Sequence, residues 1–124
     1  MKKTILVVDD EINLTHMLKR GLEATGKYQV VEENDGSRAI ATARRVRPDL
    51  VILDVMMPEV DGGTIAAELA ETQELKHVPV VFLTAILTKE ETEPTGSLIG
   101  QHTFLAKPVN LRNLITCIEN HTGV

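Results

Sequence analysis

Five residues of this chain carry side chains suited to metal or phosphate chemistry and occupy similar places in the sequence: Asp9, Asp10, Asp54, Thr84 and Lys107. Each follows a short apolar, strand-forming run. Ile5-Leu6-Val7-Val8 precedes Asp9-Asp10, Leu50-Val51-Ile52-Leu53 precedes Asp54, Val80-Val81-Phe82-Leu83 precedes Thr84, and Thr103-Phe104-Leu105-Ala106 precedes Lys107. In a parallel sheet the strand ends share one edge, and ligands bind in the crevice there, where the strand order reverses. Three carboxylates gathered at that edge repel, and each has its pKa raised unless a cation lies between them. Oxygen ligands on a partly open site suit a hard ion, Mg²⁺ or Mn²⁺, that keeps several waters. No cysteine or histidine lies in these loops, which makes zinc a poor candidate. Lys107 adds a fixed positive charge and Thr84 a hydroxyl donor, and with the cation they could neutralise a tetrahedral oxyanion. There is no Gly-rich nucleotide loop, but a carboxylate can itself attack phosphorus and form an aspartyl phosphate. The set describes a phosphoryl site.

The intervening segments read as helices that would hold those strand ends in place. Leu14, Leu18 and Leu22 recur every four residues, with Met17 in the same stripe and Gly26 placed as a stop. Tyr28 to Glu32 reads as a weaker strand, and Asp35-Gly36-Ser37 as a turn and N-cap before a helix over Arg38 to Val46 with Ala39, Ile40 and Ala43 facing inward. Pro48 precedes the most apolar strand, Leu50 to Leu53. Ile65, Ala66 and Leu69 mark a third helix, and Leu111, Leu114, Ile115 and Ile118 a last one. Between Ile86 and Gly100, Pro94 and Gly96 interrupt the pattern, so a helix there is expected to be short, displaced or irregular. Alternating helices and strands that are apolar throughout predict an α/β fold: five parallel strands with helices on both faces and right-handed crossovers.

At 124 residues, one domain over 1–124 is expected. Hydrophobic residues at 43% and charged ones at 25% exclude a disordered or fibrous chain. A net charge of -5 argues against direct nucleic-acid binding, and Arg44, Arg45 and Arg47 read as the solvated end of a helix. A single cysteine, Cys117, excludes an internal disulfide and reads as a core residue. The opening apolar run is too short for a signal sequence or a membrane span, so a soluble cytoplasmic protein without membrane contact is expected.

The stretches Val7-Val8-Asp9-Asp10-Glu11, Asp54-Val55-Met56-Met57-Pro58-Glu59-Val60-Asp61-Gly62, Leu83-Thr84-Ala85 and Lys107-Pro108, in this order, resemble the signatures of two-component response-regulator receiver domains. The resemblance spans the chain. It implies a doubly wound, flavodoxin-like fold with strand order 2-1-3-4-5. It implies Asp54 as the phosphoacceptor, with Asp9, Asp10, Asp54 and the Met56 carbonyl as metal ligands. Thr84 and Lys107 would contact the phosphoryl group, Phe104 would be the aromatic whose rotamer follows Thr84, and Lys107-Pro108 would be a cis peptide. The implied partners are a histidine kinase or phosphotransfer protein that supplies the phosphoryl group, and a downstream protein target or an output domain outside this chain. The implied activity is that of a signalling phosphoacceptor, not an enzyme, beyond its own self-phosphorylation and autodephosphorylation. Two departures stand out: Val109 where the family often has Phe, and the interrupted segment from Ile86 to Gly100, which falls on the usual signalling face.

Taken singly, each feature has a plainer reading. Asp9-Asp10-Glu11 would be a helix N-cap with an acidic first turn, Asp61-Gly62 a turn, Thr84 a strand end, Lys107 a solvated lysine, and Phe104 and Met57 packing residues. His16, His77, His102 and His121 are too dispersed for a metal cluster. An aspartyl-phosphate hydrolase of the haloacid-dehalogenase type would place its nucleophile after the first strand with a second Asp two residues on, whereas Glu11 stands at that position. A receiver-like module that never takes phosphate would lack one of the acids or the lysine. None is missing.

Overall fold

The computed structural model describes residues 2–85, 97–99 (backbone only) and 102–123. The strands are β1 (Lys3–Val8), β2 (Tyr28–Glu33), β3 (Leu50–Asp54), β4 (Val80–Thr84), β5 (Ser97–Ile99) and β6 (His102–Ala106). The helices are α1 (Ile12–Glu23), α2 (Ala39–Val46, after a 3₁₀ turn at Gly36–Arg38), α3 (Gly62–Glu71) and α4 (Leu111–Thr122). Five strands run parallel in the order β2-β1-β3-β4-β6, the expected doubly wound arrangement. The sixth, β5, was not anticipated: it pairs antiparallel with β6 at the sheet edge, Ser97 opposite Phe104 and Ile99 opposite His102. Apart from these three residues, the expectation of a broken helix between Ile86 and Gly100 lies outside the described residues.

The central strands are apolar over residues 5–8, 50–53 and 80–83 because each pleat alternation feeds a different core. Ile5, Val7, Leu50, Ile52, Val81 and Leu83 pack with Leu18 and Leu22 of α1 and Leu114, Cys117 and Ile118 of α4. Leu6, Val8, Val51, Leu53 and Phe82 pack with Ala39 and Ala43 of α2 and Ile65, Ala66 and Leu69 of α3. Burying each large aliphatic side chain stabilises the fold by about 1.5–3 kcal/mol. Met17 corrects the expected α1 stripe: it is 54% exposed, and Thr15 is buried instead. Cys117 is fully buried, and burial pushes its thiol up to about 11, which makes it inert at neutral pH. No helix among the described residues is long and apolar enough to cross a membrane.

Helix ends follow local chemistry. Asp61 caps α3 by accepting from the Thr64 N–H at 2.7 Å, and Asn110 caps α4 through the Asn113 N–H at 3.2 Å. Arg47 takes a left-handed conformation (φ 53°) after α2, because Pro48 forbids further helix.

Candidate functional site

Register brings the polar strand ends into a row. Val8 pairs with Leu53, Asp54 with Leu83, and Thr84 with Ala106, so Asp9, Asp54, Thr84 and Lys107 stand side by side on the C-terminal edge. β1 and β3 are neighbours with β2 outside them, which puts Asp9 and Asp54 at the point where strand order reverses. Backbone bonds lock the row: Val55 N–H to the Leu83 carbonyl at 3.1 Å and Lys107 N–H to the Thr84 carbonyl at 2.9 Å.

Asp9 and Asp54 are buried and Asp10 is exposed. Each offers an oxygen within 4.8 Å of the other two. The Lys107 ammonium lies 2.8 Å from Asp9 Oδ2, 3.3 Å from Asp54 Oδ1 and 3.0 Å from Glu11 Oε1. Burial raises the Asp9 carboxyl above its ordinary range, against the pull of Lys107 and the Glu11 N–H at 2.9 Å. Asp54 is raised as well, first by burial and then by the Asp9 charge, with Lys107 opposing. For Lys107 burial is the largest influence and acts downward, yet the close contacts with Asp9 and Glu11 and the charges of Asp9 and Asp54 outweigh it and hold the ammonium above its usual value.

The donor set fits a hard divalent cation. Asp9 Oδ2 is fully buried and, although ion-paired with Lys107, has no well-directed hydrogen bond. With three clustered carboxylates and oxygen donors alone, that buried oxygen is what a Mg²⁺-sized ion would complete.

The other expected residues fall as follows. Thr84 is buried at the end of β4. Phe104 is half-buried, its ring stacked on Phe82 with centroids 4.9 Å apart, as part of the core on the α2/α3 side. Met56 places its N–H a long 3.5 Å from Asp54 Oδ1 while its side chain is 66% exposed; Met57 packs on the core. The Lys107–Pro108 peptide is cis. Val109 packs against the α1/α4 core. All four histidines are exposed.

Three contributors escaped the sequence reading of roles. Glu11 stands at the N-cap position of α1 but makes no side-chain cap bond; its carboxylate reaches Lys107 instead. Asn34, just after β2, donates to the Asp9 carbonyl at 2.8 Å and to Thr15 Oγ1 at 2.9 Å, tying the acidic loop to α1. Gly62 donates its N–H to the Val55 carbonyl at 2.9 Å, and a Cβ there would lie 2.4 Å from the Asp54 carbonyl oxygen. The Asp61-Gly62 pair was legible as a turn, but its approach to Asp54 was not.

The family model for the response regulator receiver domain matches residues 5–119. The chain belongs to that family. It is 32% identical over 124 aligned positions to the polar-differentiation response regulator DivK of Brucella anthropi, covering 99% of this chain and 98% of that one. The solved chemotaxis protein CheY4 of Vibrio cholerae superposes with a TM-score of 0.82 at 28% identity over 98% of this chain and 99% of that one. A signal receiver domain of a signal transduction histidine kinase from Syntrophus aciditrophicus superposes at 0.79 with 30% identity, covering 98% and 90%. The chain is thus a receiver domain of two-component phosphorelay signalling, a signalling phosphoacceptor rather than a classical enzyme. Receiver domains generally bind Mg²⁺ through acidic residues and exchange contacts with histidine kinases or phosphotransfer proteins and downstream targets.

The raised Asp54 carboxyl has a stability consequence. A folded-state pKa above the unfolded one means that the folded protein holds the proton more tightly. Stability therefore falls as pH climbs from the ordinary 3.8 through the raised value, and stays lower above it. Asp54→Asn removes this cost and should stabilise the metal-free domain at neutral pH by about 1 kcal/mol. Urea melts in chelator are expected to show the gain at neutral pH and its disappearance toward pH 3.8. A gain that does not change with pH would contradict an electrostatic origin.

Proposed function

We propose that Asp54 is the phosphoacceptor of this receiver domain, that Asp9, Asp10, Asp54 and the Met56 carbonyl hold a Mg²⁺ ion, and that Thr84 and Lys107 receive the phosphoryl oxygens. The observation that carries this reading is the convergence of Asp9, Asp10 and Asp54 within 4.8 Å, with the Lys107 ammonium 3.3 Å from Asp54 Oδ1. A histidine kinase or phosphotransfer protein would present phosphohistidine. One Asp54 oxygen attacks phosphorus in line, an O–P bond forms, the P–N bond breaks, and its electron pair returns to the imidazole nitrogen. The cation, when bound, supplies positive charge that neutralises the equatorial oxygens. Asp54 is held by a short strand in register with its neighbours, so little reorganisation accompanies the attack. Lys107 turns its donors toward the new group, and the Thr84 hydroxyl forms a charge-assisted hydrogen bond to it. The acyl phosphate is later hydrolysed, in part by the domain's own geometry.

Thr84 and Phe104 supply the first step of the response, since Phe104 stacks on Phe82, two residues before Thr84 on the same strand. A phosphate that draws the Thr84 side chain inward changes the packing offered to those rings, giving a two-state element biased by its contacts. Its continuation through the segment after Ile86 lies outside the described residues.

Incubation with acetyl phosphate and Mg²⁺ is expected to add one phosphoryl group, seen by mass. Chelator should prevent the addition, and so should Asp54→Asn. Equal labelling of Asp54→Asn would overturn the assignment.

A further inference from the structure

The Lys107 ammonium has three N–H donors. Three carboxylates surround it: Asp9 at 2.8 Å, Glu11 at 3.0 Å and Asp54 at 3.3 Å. Three carboxylates therefore compete for the ammonium before any phosphoryl group arrives, the hydrogen bond going to Glu11, and a new oxyanion recruits Lys107 more readily when one carboxylate yields its place. Asp9 is fixed in the site, because its side chain is 1% exposed and has to keep facing positive charge there, from Lys107 or from the cation of the proposed site. Asp54 carries the group itself. Glu11 is different: its side chain is 61% exposed, so water takes over as soon as the ion pair opens.

The chain's own design points the same way. The residue before a helix ordinarily uses a short side chain to cap the first turn, but Glu is a methylene longer than Asp and here makes no cap bond. Its carboxylate spans 96 positions of sequence to meet Lys107. We propose that Glu11 is a competing tether: it holds Lys107 in the unphosphorylated state and is displaced when the phosphoryl group claims the ammonium, so that it sets how readily the domain switches. This rests on Asp54 being the phosphoacceptor.

The test is a titration with beryllofluoride in saturating Mg²⁺, followed by amide NMR. Glu11→Gln removes the charge. Glu11→Asp keeps it but shortens the reach, and Asp at this position can turn back to cap the N–H groups of Asn13 or Leu14. Both variants are expected to raise the apparent affinity for beryllofluoride by about two- to fivefold, the size of an exposed ion pair. In a Lys107→Ala background, neither should change it.

A Glu11→Asp protein that matches the wild type would mean that charge rather than contact matters, and the tether would be wrong. Weaker binding by Glu11→Gln, or a gain that persists without Lys107, would overturn it equally. If Lys107→Ala does not fold, the contrast between Glu11→Asp and the wild type still decides. Failure of the underlying reading looks different: the wild type would take no beryllofluoride, or Asp54→Asn would take it just as well, and the inference would fall with it.

Discussion

Lys107→Ala is expected to destabilise the metal-free domain by about 3 kcal/mol at neutral pH, the scale for removing one partner of a buried ion pair. For a chain of this length that lowers the melting temperature by roughly 10 °C. Asp9 and Asp54, both buried, would lose the cation that partly offsets their mutual repulsion. Both carboxyls already lie above the ordinary 3.8, and without the lysine they rise further. The folded variant should then take up protons as pH falls, so its deficit against the wild type shrinks toward acid. The lysine's own linkage plays no part in that window: its folded pKa is raised, so its contribution is complete below 10.5 and is lost only as pH rises through the raised value. Mg²⁺ should recover part of the loss, because it brings positive charge to the same oxygens. Urea melts at neutral and acid pH, in chelator and in Mg²⁺, separate these effects. A deficit indifferent to both pH and Mg²⁺ would make Lys107 a packing residue. The same variant should label slowly with acetyl phosphate, since the transferred group loses a donor.

Gly62→Ala is expected to cost about 2 kcal/mol or more, the upper range for forcing a methyl into a filled space. The added Cβ would lie 2.4 Å from the Asp54 carbonyl oxygen and 3.1 Å from Val55 Cα. Both are backbone atoms, and neither can swing aside as a side chain tip would. Relief must come from moving the start of α3 or the end of β3. The second shifts the carboxyl that is to attack phosphorus, so labelling should fall by on the order of 100-fold, the penalty for misplacement of about an ångström. Gly63→Ala is the control. Its Cβ meets Asp61 Oδ1 at 3.3 Å and nothing closer, so stability should change little. Equal effects at Gly62 and Gly63 would mean that helix propensity, and not the approach to Asp54, is at work.

The sequence by itself determined the alternation of strand and helix and the two-sided sheet. A strand buried on both faces has to be apolar along its length, and β3, with all five residues buried, is apolar from Leu50 to Leu53 and carries Asp54 only at its end. It determined the gathering of Asp9, Asp54, Thr84 and Lys107 for the same reason: parallel strands end on one edge, so a polar residue at the end of each run becomes a neighbour of the others. Tertiary structure decided what depends on distance and direction. Glu11 read as part of a helix cap, and its bond to Lys107 exists because β1 and β6 bring positions 96 residues apart within 3.0 Å. Asn34 carried no signal, since an asparagine after a strand is ordinary turn chemistry until Asp9 lies beside it. Met17 fits a four-residue stripe, yet α1 turns it to solvent, because periodicity locates a face only to within a residue and the packing against β2 selects the rest. The antiparallel β5 was illegible for a similar reason: three residues are too few to show a period, and the backbone groups at the edge of β6 are what pair them.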